Sequence, residues 1–381
     1  MTLLPAPPPD ALALSARLTE TMAAEIQAHG PVDFARYMAL ALYAPSLGYY
    51  SAGAVKFGID GDFVTAPEIS PLFGRSLAQQ LAQILRDGGD VLEIGAGSGR
   101  LAVDMLAELQ CLHRLPDHYY ILEVSADLRA RQKQLIARVL PDFAERVIWL
   151  DQLPDSFSGC IVANELLDAL PVNVVHWRSD AIYQRCVAWQ DGEFAWCDQP
   201  LPPGALRDAA AAISVPAGYI SEIGMAAQGL VNSLAQCLTV GAIVMIDYGF
   251  GEREYYHPQR DRGTIMCHYR QQAHSDPFYL PGLQDITAHV DFSAIALAGI
   301  SSGLSLAGYT SQAQFLINCG ITGLLAQTPA SDTGQYLPLV AAVQKLLSPA
   351  EMGELFKVIA WTKGMPEPLI GFVSGDQRRR L

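Results

Sequence analysis

A short apolar run followed by alternating glycines constrains the fold of this chain more than any other feature of the sequence. Residues 91–94 are mostly apolar and suit a buried parallel strand, and helical spacing of apolar residues begins at Leu101. Three glycines stand between them: Gly95, Gly97 and Gly99. A strand that turns through glycines into a helix lets a ligand lie against backbone N–H groups at the helix N-terminus. We therefore expect a ligand-binding loop at the edge of an α/β sheet.

The spacing of the glycines separates two classes of ligand. Dinucleotide-binding loops tend to read G-x-G-x-x-G, which places a pyrophosphate on the helix end. Here the third glycine comes one residue early, and Glu93 precedes the first. The pattern acidic-x-Gly-x-Gly-x-Gly resembles motif I of the class I S-adenosylmethionine (SAM) methyltransferases. The resemblance implies that Glu93 and the three glycines bind SAM, and the spacing disfavours a nicotinamide oxidoreductase.

Polar side chains also follow the next two predicted strands. Glu123 ends the apolar run 119–122, and Asp151 and Gln152 follow the run 147–150. A carboxylate at the first position can accept both hydroxyl protons of a ribose. In class I methyltransferases an acidic or amide residue at the second position often meets the adenine amino group. Because open parallel sheets bind ligands along their carboxyl edge, we expect these side chains to share one site.

A fourth predicted strand, 160–163, runs into the phrase Asn-Glu-Leu-Leu-Asp-Ala-Leu-Pro at 164–171. This phrase resembles the MidA-like methyltransferases, which are related to the mitochondrial complex I assembly arginine methyltransferase. Further segments carry the same resemblance over most of the chain: Gly30–Phe34, Leu47–Tyr50, Gly61–Gly74, Ile246–Gly249, Arg262–Thr264 and Gln284–Phe292.

The resemblance implies a fold and a function. The fold is a class I methyltransferase, Rossmann-like α/β sheet that is mostly parallel, with an antiparallel last strand, an N-terminal helical region and an antiparallel β insertion. The implied function is methyl transfer from SAM to an arginine of a protein partner, with a respiratory-complex subunit as one possible acceptor. A small-molecule N- or O-methyltransferase and a non-catalytic SAM-binding assembly factor remain alternatives. The resemblance places Asn164 at the donor methyl group, as a cofactor-binding residue.

Arginine methylation requires carboxylates, because the guanidinium pKa lies above about 12 and its charge must be localised before a nitrogen can attack. Glu165 is the first candidate, since it follows the fourth strand beside the expected methyl position. Asp62 and Glu68 lie on a glycine-rich segment that we interpret as a lid over the donor. Each of these carboxylates could instead stabilise a helix N-terminus.

Three further residues are candidates for binding the acceptor. Asp168 lies in the same phrase as Glu165 and could help to clamp a cation, while Asp285 and His289 lie in a polar, aromatic segment. No two histidines stand at helical ligand spacing beside a carboxylate, so we expect no metal site.

Changes of pattern along the chain predict its organisation. We expect a disordered lead-in at 1–10, a helical region with the lid loop at 11–89, a SAM-binding domain made of 90–171 and 222–381, and a β-rich, substrate-side insertion at 172–221. Within the insertion, Asp191-Gly192 predicts a hairpin turn. Near the C-terminus, 304–309 and 356–362 are expected to be the two last strands, as an antiparallel pair.

Charge and composition limit the partners and the cellular location that we expect for this chain. A formal net charge of −14 argues against nucleic acid as the main ligand. The N-terminus lacks the patterns of secretory and mitochondrial targeting segments, so a cytoplasmic protein is expected. Residues 292–331 carry no Asp, Glu, Lys or Arg, but polar residues interrupt the stretch, so no membrane span is expected. We interpret this stretch as buried elements, with a homodimer face or docking surface as the alternative.

Overall fold

The computed structural model describes residues 4–52, 64–365 and 368–381. These residues divide into two compact units. Unit 1 comprises the described part of Met1–Phe63, together with Leu167–Gly229 and Phe250–Asp291, and unit 2 comprises Val64–Leu166, Leu230–Gly249 and Phe292–Leu381. The chain therefore passes between the units several times.

The α-helices, numbered along the chain, are α1 (Pro9–His29), α2 (Phe34–Tyr43), α3 (Ala66–Ile69), α4 (Pro71–Ile84), α5 (Arg100–Cys111), α6 (Ala126–Val139), α7 (Ala205–Ala212), α8 (Met225–Cys237), α9 (Glu252–Tyr255), α10 (Phe292–Ser301), α11 (Gln312–Asn318), α12 (Ile321–Leu325) and α13 (Thr333–Leu347).

The strands are β1 (Val32–Asp33), β2 (Asp90–Ile94), β3 (Tyr119–Leu122), β4 (Val147–Leu150), β5 (Phe157–Asn164), β6 (Asn173–Trp177), β7 (Ile182–Gln190), β8 (Glu193–Pro200), β9 (Tyr219–Ile223), β10 (Leu238–Phe250), β11 (Met266–Tyr269), β12 (Gln272–His274), β13 (Asp285–Thr287), β14 (Val290–Asp291), β15 (Ser305–Ser311) and β16 (Phe356–Lys363).

Unit 2 is built on a sheet whose strands follow the order β15-β16-β10-β5-β2-β3-β4. The five strands from β10 to β4 pair in parallel, and β16 pairs antiparallel with both β10 and β15. The central strand β5 is buried at six of its eight positions, because helices cover both faces of a doubly wound sheet. The predicted fold class is confirmed, including the antiparallel strand pair near the C-terminus.

One hydrophobic core fills unit 2. Helices α4 and α5 contribute buried side chains such as Phe73, Leu77 and Met105, which pack with Val162 and Val244 of the sheet. Helices α4 and α5 approach each other closely at Gly74, where an added Cβ would lie 2.8 Å from the Asp104 Cβ. This packing fixes the helix that follows the glycine loop against the sheet.

Unit 1 contains two antiparallel sheets. One has the order β1-β7-β6-β9 with β8 paired to β7, and the other has the order β12-β11-β13. Asp191 and Gly192 join β7 to β8 with φ values of 52° and 86°, the positive values that a primed two-residue turn requires. The predicted hairpin is therefore present.

The predicted domain boundaries and the uncharged stretch can now be compared with the observed elements. Segment 64–89 lies in unit 2, and segment 250–291 lies in unit 1. The domains predicted from sequence place 64–89 in the N-terminal helical region and 250–291 in the SAM-binding domain. The uncharged stretch supplies α10, β15, α11 and α12 to unit 2. Several of its side chains are buried, but Leu297 is 64% exposed. No helix within the described ranges is long and apolar enough to cross a bilayer.

Candidate functional site

The glycine loop of unit 2 joins β2 to α5 through three left-handed residues. Gly95, Gly97 and Gly99 have φ values of 70°, 53° and 84°, which non-glycine residues adopt only with strain. Gly99 is the N-cap of α5 and provides no side-chain hydrogen bond to the helix. A Cβ at Gly99 would also lie 3.2 Å from the Gln132 side chain. The loop therefore brings bare backbone to the carboxyl edge of the sheet, beside a helix N-terminus suited to a carboxylate.

Glu93 lies at the penultimate position of β2, immediately beneath this loop. Its side chain is buried, and the Tyr119 hydroxyl donates a hydrogen bond to its Oε2 at 2.5 Å. Burial, with a smaller contribution from the nearby Glu123, raises the pKa of Glu93 to about 7, although the Tyr119 hydrogen bond acts to lower it. Glu93 is thus a carboxyl group that takes up a proton near neutral pH.

Glu123 follows β3 and is also buried. Its Oε1 accepts from the Ser125 N–H at 2.9 Å, and its Oε2 accepts from the Gln132 amide at 3.1 Å. Burial raises the pKa of Glu123, and these two hydrogen bonds lower it. A carboxylate has about four acceptor positions, so Glu123 retains capacity for a further hydroxyl donor.

Asp151 and Gln152 follow β4, and both are exposed. The Asp151 Oδ1 accepts a hydrogen bond from Arg129 at 2.8 Å. Arg129 also donates to the backbone carbonyls of Glu123 and Leu150, each at 2.9 Å. Helix α6 therefore ties together the ends of β3 and β4 on which the predicted ribose and adenine residues stand.

Asn164 and Glu165 end β5 in an unusual backbone conformation. Glu165 has φ = 50°, and its N–H donates to the Ile246 carbonyl of β10 at 2.9 Å. The Glu165 Oε1 accepts from the Asn164 amide at 3.0 Å and from the Ala66 N–H at 3.3 Å. The Asn164 Oδ1 is buried and accepts no hydrogen bond from any residue of 4–52, 64–365 or 368–381. A buried acceptor without a donor is costly, so this oxygen fits a site for a ligand N–H group.

Glu68 reaches the glycine loop from α3. The Ser98 hydroxyl, which lies between Gly97 and Gly99, donates a short hydrogen bond to the Glu68 Oε1. The structure thus brings Glu68 to the same loop as the predicted SAM residues. Asp62, the other predicted lid carboxylate, lies outside the described residues.

Sequence reasoning missed two polar residues of this edge. Asp247 of β10 is fully buried; its Oδ2 accepts from the Leu166 N–H at 3.1 Å and its Oδ1 from the Tyr248 N–H at 2.8 Å. It therefore fixes the backbone directly after Glu165, and its position at the end of a core strand was a usable signal. Gln132 lies in α6 four residues after Leu128 and four before Ile136, so helical spacing was a usable signal that it is buried, although not of its hydrogen-bond partners.

The predicted acceptor residues lie in unit 1. The Tyr50 hydroxyl donates to the Asp285 Oδ1 at 3.0 Å, and its ring stacks on that of Tyr43 with centroids 5.5 Å apart. Burial raises the pKa of Tyr50, and the charges of Asp285 and Asp168 raise it further, so both carboxylates lie near this hydroxyl. Two buried carboxylates therefore meet two partly exposed aromatic rings.

His289 lies apart from this hydroxyl in a second polar cluster of unit 1. Its backbone N–H donates to the Thr264 Oγ1 at 3.1 Å, and the Thr264 hydroxyl donates to the Glu222 Oε2 at 3.0 Å. Burial, with a smaller contribution from Arg260, lowers the pKa of His289 to about 4. The imidazole is therefore neutral at pH 7. Glu222, a buried carboxylate that also accepts from the Thr264 and Ile265 N–H groups, was not predicted.

No candidate metal site is present in the part of the chain that the structure describes. Within it, no group of three or more His, Cys, Asp or Glu side chains is arranged to hold a metal ion.

These features define a class of protein: a doubly wound sheet with a glycine loop, a buried ribose-type carboxylate and an unsatisfied amide oxygen at its carboxyl edge is the framework of a SAM-dependent methyltransferase. The family comparison agrees. Residues 72–310 match the family described as "Putative S-adenosyl-L-methionine-dependent methyltransferase", and the chain belongs to this family. The predicted MidA-like resemblance is confirmed.

Similar proteins extend over nearly the whole chain. The "Protein arginine methyltransferase NDUFAF7 homolog, mitochondrial" of Caenorhabditis elegans is 26% identical over 375 residues, covering 88% of this chain and 84% of that protein. Its Drosophila melanogaster counterpart is 27% identical, covering 93% and 88%. The crystal structure of a Burkholderia thailandensis protein bound to S-adenosyl-homocysteine (SAH) is 48% identical, with a TM-score of 0.97 and full coverage of both chains.

The protein is therefore a SAM-dependent methyltransferase, and SAM is its cofactor. One sequence prediction is wrong. The expected cytoplasmic location is contradicted by the relatives of C. elegans and D. melanogaster, which are named as mitochondrial proteins.

Proposed function

We propose that this methyltransferase transfers the methyl group of SAM to an arginine guanidinium of a protein. The observation that carries this proposal is the fixed carboxylate of Glu165, which two N–H donors hold at the carboxyl end of β5. The names of the relatives from animals support the same acceptor class. A net charge of −14 is also compatible with a cationic substrate.

The cofactor residues are proposed to act as follows. Glu123 accepts hydrogen bonds from the ribose hydroxyls, and the loop of Gly95, Gly97 and Gly99 receives the methionine part beside the α5 N-terminus. Glu93 supports that loop from beneath. Asn164 offers its buried Oδ1 to a ligand N–H group.

The adenine end of the site is proposed to lie between β3 and β4. Asp151 and Gln152 are exposed there and can meet the adenine amino group. Val124, whose side chain is 77% exposed directly after Glu123, supplies an apolar surface for the base.

The chemistry asks the protein to orient the acceptor nitrogen and to draw charge away from it. SAM supplies an electrophilic methyl group when it is bound, so the leaving group needs no acid. We propose that Glu165 receives guanidinium N–H bonds, localises the positive charge on the far nitrogens and leaves one nitrogen directed at the donor. Glu68, joined to Ser98 of the loop, and Asp62 are proposed to complete this acidic surround.

Asp168 and Asp285 are proposed to hold the cationic acceptor in unit 1, with Tyr43 and Tyr50 offering ring faces. Carboxylates combined with aromatic faces favour a guanidinium over a neutral group. His289, neutral at pH 7, is proposed to contact the acceptor through a ring nitrogen.

The acceptor class can be tested with labelled SAM and native cell extract, followed by identification of the labelled residue by mass spectrometry. We expect monomethyl- or dimethylarginine in a protein. Glu165→Gln should bind SAH as the wild type does and lose methylation by about a hundredfold or more, because it keeps an acceptor atom but removes the charge. Glu351→Gln, an exposed residue of unit 2, is the matched control.

The results that contradict the proposal are equally defined. Label found in a small molecule would exclude the proposed protein acceptor. Unchanged single-turnover transfer by Glu165→Gln would exclude the proposed role of Glu165. The identity of the labelled protein tests the more specific proposal of a respiratory-complex subunit. Light scattering measures the oligomeric state, and a monomeric mass would exclude a homodimer.

A further inference from the structure

One buried side chain connects three parts of the cofactor edge. Gln132 of α6 is 0% exposed. Its Nε2 donates to the Gly97 carbonyl at 2.9 Å and to the Glu123 Oε2 at 3.1 Å, and its Oε1 accepts from the Trp149 indole at 2.9 Å. Gln132 thus joins the glycine loop, the carboxylate after β3 and the strand β4.

The chemistry of the three partners allows only one orientation of this amide. The indole N–H of Trp149 is a donor only, so it must face the Gln132 oxygen. The Gly97 carbonyl and the ionised Glu123 are acceptors only, so they must face the nitrogen, whose two N–H groups they use. Rotating the amide by 180° would break all three bonds and leave buried polar atoms unsatisfied.

The same side chain explains the early third glycine. Gly99 packs on Gln132 so closely that an added Cβ would lie 3.2 Å from its Cγ and 3.3 Å from its Cα. With glycine at position 99, the loop can approach α6 closely. The Gln132 amide then bonds to the Gly97 carbonyl. Other ionisable groups facing Glu123 are Arg129, which favours its charged form, and Glu93, which lies close enough for the two carboxylates to repel.

We propose that Gln132 is a positioning residue for the cofactor, whose amide holds the Glu123 carboxylate and the Gly97 carbonyl in the geometry that receives the ribose hydroxyls. This inference rests on the proposed role of Glu123 as the ribose ligand. Gln132 itself touches no reacting atom. Its loss should weaken ribose recognition in particular, because Glu123 would keep its charge and its bond from the Ser125 N–H but lose the donor that orients its Oε2.

The test compares binding of SAH with binding of 2′-deoxy-SAH by calorimetry. The wild type should prefer SAH by about tenfold or more, since a hydrogen bond to a buried carboxylate is lost with the hydroxyl. Gln132→Met keeps the length of the side chain and removes its hydrogen bonds, and its preference should fall below about threefold. Gln80→Met is the matched control, because Gln80 is another fully buried helical glutamine of unit 2 that bonds to Gln83 and Gly371.

Each outcome decides a different point. A wild type without preference for the 2′-hydroxyl overturns the ribose role of Glu123 and this inference with it. A wild-type preference that persists in Gln132→Met overturns the inference alone, and so does an equal loss in Gln80→Met, which would indicate general loosening. Circular dichroism checks that Gln132→Met is folded. If it is not, Gln132→Glu takes its place, since a glutamate keeps an acceptor for Trp149 and removes both N–H donors. A retained preference for SAH in Gln132→Glu likewise overturns the inference.

Discussion

At the residue scale, the site depends on backbone conformations that cost free energy and on carboxyl groups placed out of water. Glu165 adopts φ = 50° at the end of a core strand, a conformation that a β-carbon disfavours. Strain of this kind persists only where neighbours enforce it, and here the Ile246 carbonyl and Asp247 do so. The strained turn sets the direction in which the Glu165 side chain leaves the strand.

The first prediction concerns the middle glycine of the loop. Gly97→Ala should lower SAH affinity by about tenfold or more, because an added Cβ occupies the face of the loop that the donor needs and strains the backbone by roughly 1 kcal/mol. Gly320→Ala is the matched control, since Gly320 is left-handed at φ = 81° in the same unit and an added Cβ there meets nothing within 4 Å. Equal SAH affinities of the two variants in calorimetry would place the donor elsewhere.

The second prediction concerns Glu93 and pH. Its pKa is about 7 in the folded protein and ordinary in the unfolded chain, so between about pH 4.5 and 7 the folded state holds more protons. Stability from this group is present below pH 4.5 and is lost as the pH rises towards 7, by on the order of 3 kcal/mol at most. Glu93→Gln should therefore gain stability relative to the wild type between pH 5 and pH 8. A stability difference that does not change over that interval, measured by thermal unfolding, would show that Glu93 has an ordinary pKa.

At the element scale, much of the sheet could be predicted because parallel core strands are short apolar runs bounded by polar residues. The run 147–150 coincides with β4, and Ser125 caps α6 by accepting from the Leu128 N–H at 3.4 Å. Contacts between distant segments could not be read in this way. The Tyr50–Asp285 hydrogen bond joins residues 235 positions apart, and nothing local in the sequence indicates it.

Gln132 shows a related limit at one helix. Leu128, Gln132 and Ile136 form the buried face of α6 at four-residue spacing, but nothing local in the sequence indicates which groups the buried amide meets. By contrast, Asp247 stands at the end of a predicted strand, as Glu123 and Asp151 do, and the same argument could have included it. Side chains at strand ends are thus predictable, whereas their supporting residues depend on how helices pack.

The third prediction concerns the link that α6 makes between β3 and β4. Arg129→Met should lower the free energy of unfolding by about 1–3 kcal/mol, because the carbonyls of Glu123 and Leu150 both lose a charged donor. Arg138→Met, an exposed residue in the last turn of the same helix, should cost only a few tenths of a kcal/mol. Chemical denaturation measures both, and similar losses would argue against the link.

At the scale of the whole molecule, the described residues form two compact units with different proposed tasks. The proposed cofactor residues all lie in unit 2, whereas Asp168, Asp285 and His289 lie in unit 1. The chain passes from one unit to the other directly after Glu165 and Leu166. Tertiary contacts define the boundaries of the two units. These boundaries differ from the domain boundaries predicted from changes of pattern along the sequence.

The fourth prediction uses binding as a measure of the whole fold. SAH at about a hundred times its dissociation constant should stabilise the protein by about 2.7 kcal/mol and raise its thermal midpoint. NADH at the same concentration should leave the midpoint unchanged, because the glycine spacing does not suit a pyrophosphate. Stabilisation by NADH, or none by SAH, would contradict the assignment of the loop.

The most direct test of the central claim is a crystal structure of this protein grown with SAH. The account predicts the ribose hydroxyls within hydrogen-bonding distance of the Glu123 carboxylate, the homocysteine part against Gly95–Gly99, and the sulfur facing Asn164 and Glu165. SAH bound away from the carboxyl ends of β2, β3 and β5, or a ribose that does not contact Glu123, would contradict it.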